Sequence, residues 1–308
     1  MTADFLRNGM YGFAMGDAFG VPYEFKDTAE VSSKMRHGGL WSDDTSLSLA
    51  TINALTDEYQ LKGIMDNFSA YLNQGEFTPQ GQAFGYGVET ANAIKAYDES
   101  GKFGDFNQDD PMANGNGALM RIWPLAFYQL PAQVTLEQVV NEVTGLTHGP
   151  MQAKLISRFW VYFMRVLPRM RNIERALVHA LRAINRQPAV QALLAQNDIE
   201  WLVVPAGSNP DQIIEAIKNQ SIDSIKPTSY DVDTLNTVLW TVLNAQSYEQ
   251  AVKQAVQLGG DTDTNAALVG LVMSYVDDHF PEQWFNELAH KEKIERELVL
   301  ADQSHRFD

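Results

Sequence analysis

The 308-residue chain is 45% hydrophobic and 20% charged, carries a formal net charge of −16 and contains no cysteine; this balance fits a folded globular protein and excludes disulfides and thiolate metal sites. Such acidity argues against nucleic acid or an anionic membrane as a partner, because phosphate surfaces are gripped mainly by Lys and Arg. The start, Met1 to Asn8, has no signal-peptide pattern, no apolar run is long enough to span a bilayer, and the six histidines show no zinc-ligand spacing, so a cytoplasmic protein without membrane contact or zinc is expected.

Helical punctuation dominates along the chain. A first helix is predicted over roughly 5–17, and at its end Gly16-Asp17-Ala18-Phe19-Gly20, with Glu24, reads as two acids around a tight glycine-flanked turn, Asp17 as a turn or cap residue. In Trp41-Ser42-Asp43-Asp44-Thr45, Ser42 is a natural helix cap and Asp43 and Asp44 fall in the first turn of a helix continued by Leu47, Leu49, Ala50, Ile52 and Leu55. Helices are predicted over 62–74 and 87–98, with loops at 75–87 and 99–118. The run Asn114 to Arg121 is rich in amides and glycine; its exposed N–H groups suit a phosphate, and a plain turn is equally compatible. Thr135-Leu136-Glu137-Gln138 fits a capping box at the start of a helix over 136–146. In Leu146-Thr147-His148-Gly149-Pro150, His148 is either a ligand-orienting or a structural histidine.

Helices over 151–167 and 172–184 carry eight Lys and Arg between Lys154 and Arg186 against the single acid Glu174. Lys154, Arg158, Arg165 and Arg169 share a face if Pro168 does not break the helix; this is a solvated face or a site for an anionic protein partner. After a loop at 202–212 come helices over 211–218 and 232–244. Ser247-Tyr248-Glu249-Gln250 is a second capping box, and Tyr248, Ala251, Val252, Ala255 and Val256 follow at helical steps. Gly259 then ends that helix. Asp261 caps the next one, whose run Ala266 to Met273 is apolar on every side and therefore central. With no strand–helix alternation, a single all-α domain over 1–308 is expected.

The chemistry is concentrated at the two acidic helix starts. Each holds more carboxylates than capping needs, and Asp261, Asp263 and Thr264 can fan three oxygens around one helix end. Oxygen donors packed this tightly suit a hard divalent cation such as Mg²⁺, which would also offset their mutual repulsion. A shared metal centre is the expected outcome. Asp261-Thr262-Asp263 also matches the metal motif of nucleotide-sugar glycosyltransferases, whose alternating α/β setting is missing here.

The ordered set of motifs resembles the ADP-ribosylglycohydrolase family over most of the chain. Gly16-Asp17-Ala18-Phe19-Gly20 with Glu24 is similar to its GDALG…E opening, and Ser42-Asp43-Asp44-Thr45 to its (T/S)DDT segment. Gly115-Asn116-Gly117-Ala118-Leu119-Met120-Arg121 is similar to its GNGxxMR loop, Thr147-His148 to its TH motif, Ser229 to Leu235 to a GYVxDTL segment, and Gly260-Asp261-Thr262-Asp263-Thr264 to its GDTDT signature. The resemblance implies an all-α hydrolase with two Mg²⁺ or Mn²⁺ ions that removes ADP-ribose from a modified protein side chain or related conjugate. It implies Ser42, Asp43, Asp44, Asp261, Asp263 and Thr264 as metal ligands, Glu24 and Asp44 as catalytic, and Asn116, Gly117, Met120, His148 and Tyr230 as ADP-ribose-binding residues.

The chain departs from the family pattern in three places: Gly85 stands where relatives carry an acid, the usual second His after the TH motif is missing because Gly149-Pro150-Met151 follows His148, and Ser229 stands where a glycine precedes Tyr230. Loss of the acid leaves Glu89 or water to substitute, or turnover weakened. It motivates an alternative function as an ADP-ribose- or partner-binding protein, such as an immunity protein that occludes an ADP-ribosylating toxin.

Overall fold

The computed structural model describes residues 5–26, 31–110, 112–186, 188–196, 199–204, 208–277 and 279–307. Among them the chain forms α1 (Phe5–Gly20), α2 (Asp43–Ala54), α3 (Leu61–Gln74), α4 (Val88–Ser100), α5 (Leu136–Gly145), α6 (Met151–Met170), α7 (Ile173–Ile184), α8 (Pro188–Ala195), α9 (Asp211–Lys218), α10 (Asp231–Asn244), α11 (Tyr248–Gln257), α12 (Thr262–Met273), α13 (Glu282–Glu287) and α14 (Lys291–Ser304). No strand forms among the described residues; Gly115 and Tyr230 make one isolated bridge and Tyr128 and Phe307 another. The all-α expectation holds, and no described helix is long and apolar enough to cross a membrane.

The centre is α12, buried along its whole length as its all-round apolar run requires. Helix α1 lies directly against it. The segment expected to be a glycine-flanked turn is instead the last turn of α1, which continues to Gly20. Its glycines serve close approach: a Cβ at Gly16 would strike the Ala266 carbonyl oxygen, and one at Gly20 that of Thr262. Farther along, a Cβ at Gly12 would lie 2.7 Å from the Gly270 carbonyl oxygen. Glycine's cost inside a helix is thus offset by backbone-to-backbone packing.

Gly259 and Gly260 adopt φ of 80° and 67°, ending α11 and turning the chain straight into α12. The turn is tied on both sides: Asp261 N donates to Pro227 O at 2.9 Å, and Phe25 N donates to Gly260 O at 2.8 Å. The N-cap hydroxyls predicted for α5 and α11 are in place, Thr135 accepting from Gln138 N and Ser247 from Gln250 N. Neither return bond reaches the cap residue's own N–H. Gln250 Oε1 accepts from Gln246 N at 3.1 Å, while the Gln138 amide turns away to Glu142.

Pro168 sits inside α6 without stopping it. The basic face is nevertheless interrupted: Lys154 is buried against Asp105 at 2.8 Å, and Arg158 Nε donates to Asn141 Oδ1 at 2.6 Å. Helix α14 escaped the sequence reading because its charged residues dilute the buried set Ile294, Leu298 and Ala301. The short helices α8 and α13 likewise offered too few periodic positions.

Candidate active site

The amino-terminal ends of α2 and α12 meet, and Asp17 of α1 fixes the first of them. Asp17 is fully buried. Its Oδ1 accepts from Ser42 N and Ser42 Oγ, both at 2.9 Å, and its Oδ2 from Thr45 N at 3.0 Å and Thr45 Oγ1 at 2.6 Å. The residue does cap a helix, but α2 rather than its own. A carboxylate at that position satisfies free N–H groups and complements the helix dipole.

Across the junction, Thr264 Oγ1 donates to Asp44 Oδ2 at 3.2 Å. Asp261 occupies the N-cap position of α12 without making a side-chain cap bond; its Oδ2 instead accepts from Asn116 Nδ2 at 2.9 Å. Asn116 Nδ2 also donates to Thr234 Oγ1 at 2.9 Å, whose own proton goes to Thr228 O. That chain of bonds fixes the orientation of the Asn116 amide.

The carboxylates fall into two sets, Asp17, Asp44 and Asp263 in one and Glu24, Asp261 and Asp263 in the other, with oxygens within 4.8 Å of one another in each. Asp263 is common to both. Among the described residues no Lys or Arg pairs with these acids. Burial, then the surrounding negative charge, pushes Asp43, Asp44 and Asp263 well above the usual carboxylate range. Burial raises Asp17 to about 6 despite its four donors. Burial and the charges of Asp261 and Asp17 raise Glu24 to about 7.

The residues present fit a hard cation. Asp44 Oδ1 is buried with no hydrogen-bond partner, an uncompensated oxygen of the kind a metal ion satisfies, and the surrounding donors are all carboxylate or hydroxyl oxygens. Ser42, Asp43, Asp44, Asp261, Asp263 and Thr264 are all buried at this junction.

A cleft of about 430 Å³ opens above the acids, within the size range of small-ligand sites. Glu24, Asp43, Asp261, Asp263 and Thr264 form its acidic side, and Asn116, Gly117, Met120 and His148 line it as well. Tyr230 does not line it; Ser229 does, while the Tyr230 hydroxyl accepts from Gln152 Nε2 at 2.8 Å. Gly85 borders the cleft at φ 78°, and a Cβ there would lie 3.1 Å from Asp43 Oδ1. Glu89 also borders it, its Oε2 accepting from Asn107 Nδ2 at 2.8 Å. Phe25, Tyr86, Val88 and Met112 leave large apolar surfaces exposed around the mouth. A larger cavity of about 570 Å³ between α9 and α10, near Trp201 and Ile213, is bordered by Val232 and Asp233 of the Ser229–Leu235 segment but by none of the clustered acids.

Sequence reasoning placed no role at this site on Asp17 or Thr45, or on Thr90, which also lines the cleft. A carboxylate that caps a helix 25 residues away leaves no local signature.

A family model described as ADP-ribosylglycohydrolase matches residues 2–307. The ADP-ribosylarginine hydrolase Tri1 of Pseudomonas putida (strain GB-1) is 26% identical over 315 residues, covering 96% of this chain and 78% of its own. The ADP-ribosyl-[dinitrogen reductase] glycohydrolase of Rhodospirillum rubrum is 26% identical over 318 residues, covering 93% and 90%. A solved structure of an ADP-ribosylglycohydrolase-related protein complex shares the fold, with a TM-score of 0.68 at 22% identity over 98% of each chain.

Proposed function

The chain belongs to the ADP-ribosylglycohydrolase family and is a glycosidic-bond hydrolase; from that premise we propose that it removes ADP-ribose from a modified protein side chain, using two Mg²⁺ or Mn²⁺ ions. The observation that carries the metal centre is the pair of carboxylate sets sharing Asp263, with Asp44 Oδ1 buried and uncompensated beside them. Ser42, Asp43, Asp44, Asp261, Asp263 and Thr264 hold the ions in this reading, and Asp17 buttresses them from behind. When bound, the ions supply Lewis-acid contacts to ribose hydroxyls and lower the pKa of a coordinated water.

The remaining residues have separable tasks. Cleavage of a ribosyl bond develops positive charge at C1′, and the acidic side of the cleft favours that charge. Glu24, half-buried on the acidic side of the cleft, is placed to hold or release a proton there; burial and then the neighbouring charges raise it in the metal-free protein, and bound cations would offset those charges. Asn116 orients Asp261 through the 2.9 Å bond while Gly117, Met120 and His148 present the ligand-facing wall. Tyr230 supports that wall through its bridge to Gly115. The apolar mouth supports a protein-borne substrate, because exposed apolar groups gathered at one place favour a macromolecular contact.

ADP-ribosylarginine on a protein is the first conjugate to assay, as the Pseudomonas putida relative is an ADP-ribosylarginine hydrolase; ADP-ribosylserine is the second. Release of free ADP-ribose is expected with Mg²⁺ or Mn²⁺, and loss of release with chelator or in Asp261→Ala. Tight ADP-ribose binding with no release from any conjugate under any metal condition overturns the hydrolase reading in favour of a binding or toxin-occluding protein.

A further inference from the structure

The ligand-facing wall carries an imidazole connected to a buried cation. Arg121 has no exposed surface. Its Nη2 donates to Thr147 Oγ1 at 2.8 Å and to Val143 O at 3.3 Å, and its guanidinium lies 4.5 Å from the centre of the Phe68 ring. Its Nε and Nη1 have no hydrogen-bond partner, and no carboxylate pairs with it among the described residues. A guanidinium buried this way is costly. Burial lowers its pKa to about 9, so it stays charged near neutrality.

That charge determines where one proton sits. A guanidinium offers donors only, so Thr147 Oγ1 must accept from it. The hydroxyl has a single proton of its own, and its remaining partner is His148 Nδ1 at 2.7 Å. The oxygen has a second lone pair that could accept from Nδ1–H, but the buried hydroxyl proton would then have no acceptor among the described residues; donation to Nδ1 satisfies both groups and leaves the ring hydrogen on Nε2. The Nε2 edge of the ring lies along the glycine turn of the cleft wall: a Cβ on Gly115 would be 3.5 Å from Nε2, and one on Gly117 would be 2.9 Å from Cε1.

We infer that Arg121 and Thr147 are positioning residues that hold His148 as the neutral Nε2–H tautomer, giving the cleft a fixed hydrogen-bond donor for a ligand oxygen at the Gly115–Gly117 wall. Burial and the Arg121 charge both lower the His148 pKa, to about 3, in keeping with a neutral ring. The acidic side of the cleft thus faces a wall that donates without adding positive charge. Only the identification of the ligand as ADP-ribose rests on the proposed function; the tautomer does not.

Long-range ¹H–¹⁵N correlation spectra of the uniformly ¹⁵N-labelled full chain at neutral pH test this, with the His148 signals assigned by their disappearance in His148→Asn. The expected pattern is an unprotonated Nδ1 and a protonated Nε2. Thr147→Val should turn this into a tautomer mixture and weaken ADP-ribose binding by roughly two- to tenfold, the worth of one hydrogen bond. Thr147→Ser should restore both. A wild-type ring protonated at Nδ1, or an imidazolium, overturns the inference, and the wild-type spectrum alone decides if Thr147→Val does not fold. Absence of ADP-ribose binding alongside the expected tautomer would count against the proposed function and leave this inference standing.

Discussion

Asp17 Oδ1 accepts both the backbone N–H and the hydroxyl of Ser42, each at 2.9 Å, so a side chain inside α1 holds the first residue of the acidic segment proposed to bind metal. Asp17→Asn points an amide N–H₂ at donors that need an acceptor. The expected loss is about 2–4 kcal/mol in urea unfolding, since buried polar groups left unpaired cost about 1–3 kcal/mol each and some will relax. Hydrolysis should fall as well, even where the variant is fully folded, because Ser42 and Asp44 lose their register. Wild-type stability in Asp17→Asn would show that the four bonds contribute little.

Metal should act on the fold as well as on the reaction. A cation that binds only the native state stabilises it by about 2.7 kcal/mol at a hundred times its Kd, so Mn²⁺ should raise the thermal midpoint and EDTA reverse it. Asp263→Asn removes the acid common to both sets. Its metal-free midpoint should equal or exceed that of the wild type, because repulsion is relieved, and its Mn²⁺ response should disappear. A Mn²⁺ response of wild-type size in this variant would place the ions elsewhere.

The raised carboxylates give a signed pH dependence. Asp17 titrates at about 6 against 3.8 and Glu24 at about 7 against 4.5, with Asp43, Asp44 and Asp263 also shifted upward. Over that window the native state holds protons the unfolded chain has released, so stability of the metal-free protein falls as pH rises, by about 1.4 kcal/mol per unit for each such proton. His148, lowered to about 3, opposes this below its unfolded value by a single proton. Melting in EDTA should give a higher midpoint at pH 5 than at pH 8, and saturating Mn²⁺ should shrink or invert the difference. A midpoint in EDTA that climbs from pH 5 to pH 8 would contradict the shifts.

Gly85 combines a φ of 78° with a Cβ position 3.1 Å from Asp43 Oδ1. Gly85→Ala should cost about 1–2 kcal/mol through the left-handed backbone alone. Gly85→Asp adds a negative charge beside Asp43 and should be less stable than Gly85→Ala in EDTA, with the gap closing in Mn²⁺. Comparing the two variants by denaturant unfolding with and without metal checks this; equal stabilities under both conditions would mean that the charge never approaches the acids.

Much of the site was legible because its parts are local. Ser42 as a cap, the acids in the first turn of α2, the glycine stop before Asp261 and the uniformly apolar α12 are each written in a few consecutive residues. Helix periodicity also gave most of the fold. It failed where the pattern was diluted, as in α14, or where propensity was overruled, as at Gly20, which packs directly against α12.

By itself the sequence determined most of the helices, their local hydroxyl caps and the inventory of oxygen donors, since these follow from spacings of three or four residues and from side-chain chemistry. Tertiary structure alone decided which donors share a place. It put Asp17 behind Ser42, joined both carboxylate sets through Asp263, drew Asn116 onto Asp261, and set Arg121 behind the adjacent pair Thr147 and His148. Those relations span tens to hundreds of residues, and only the burial of one helix against another brings such distant side chains within hydrogen-bonding reach.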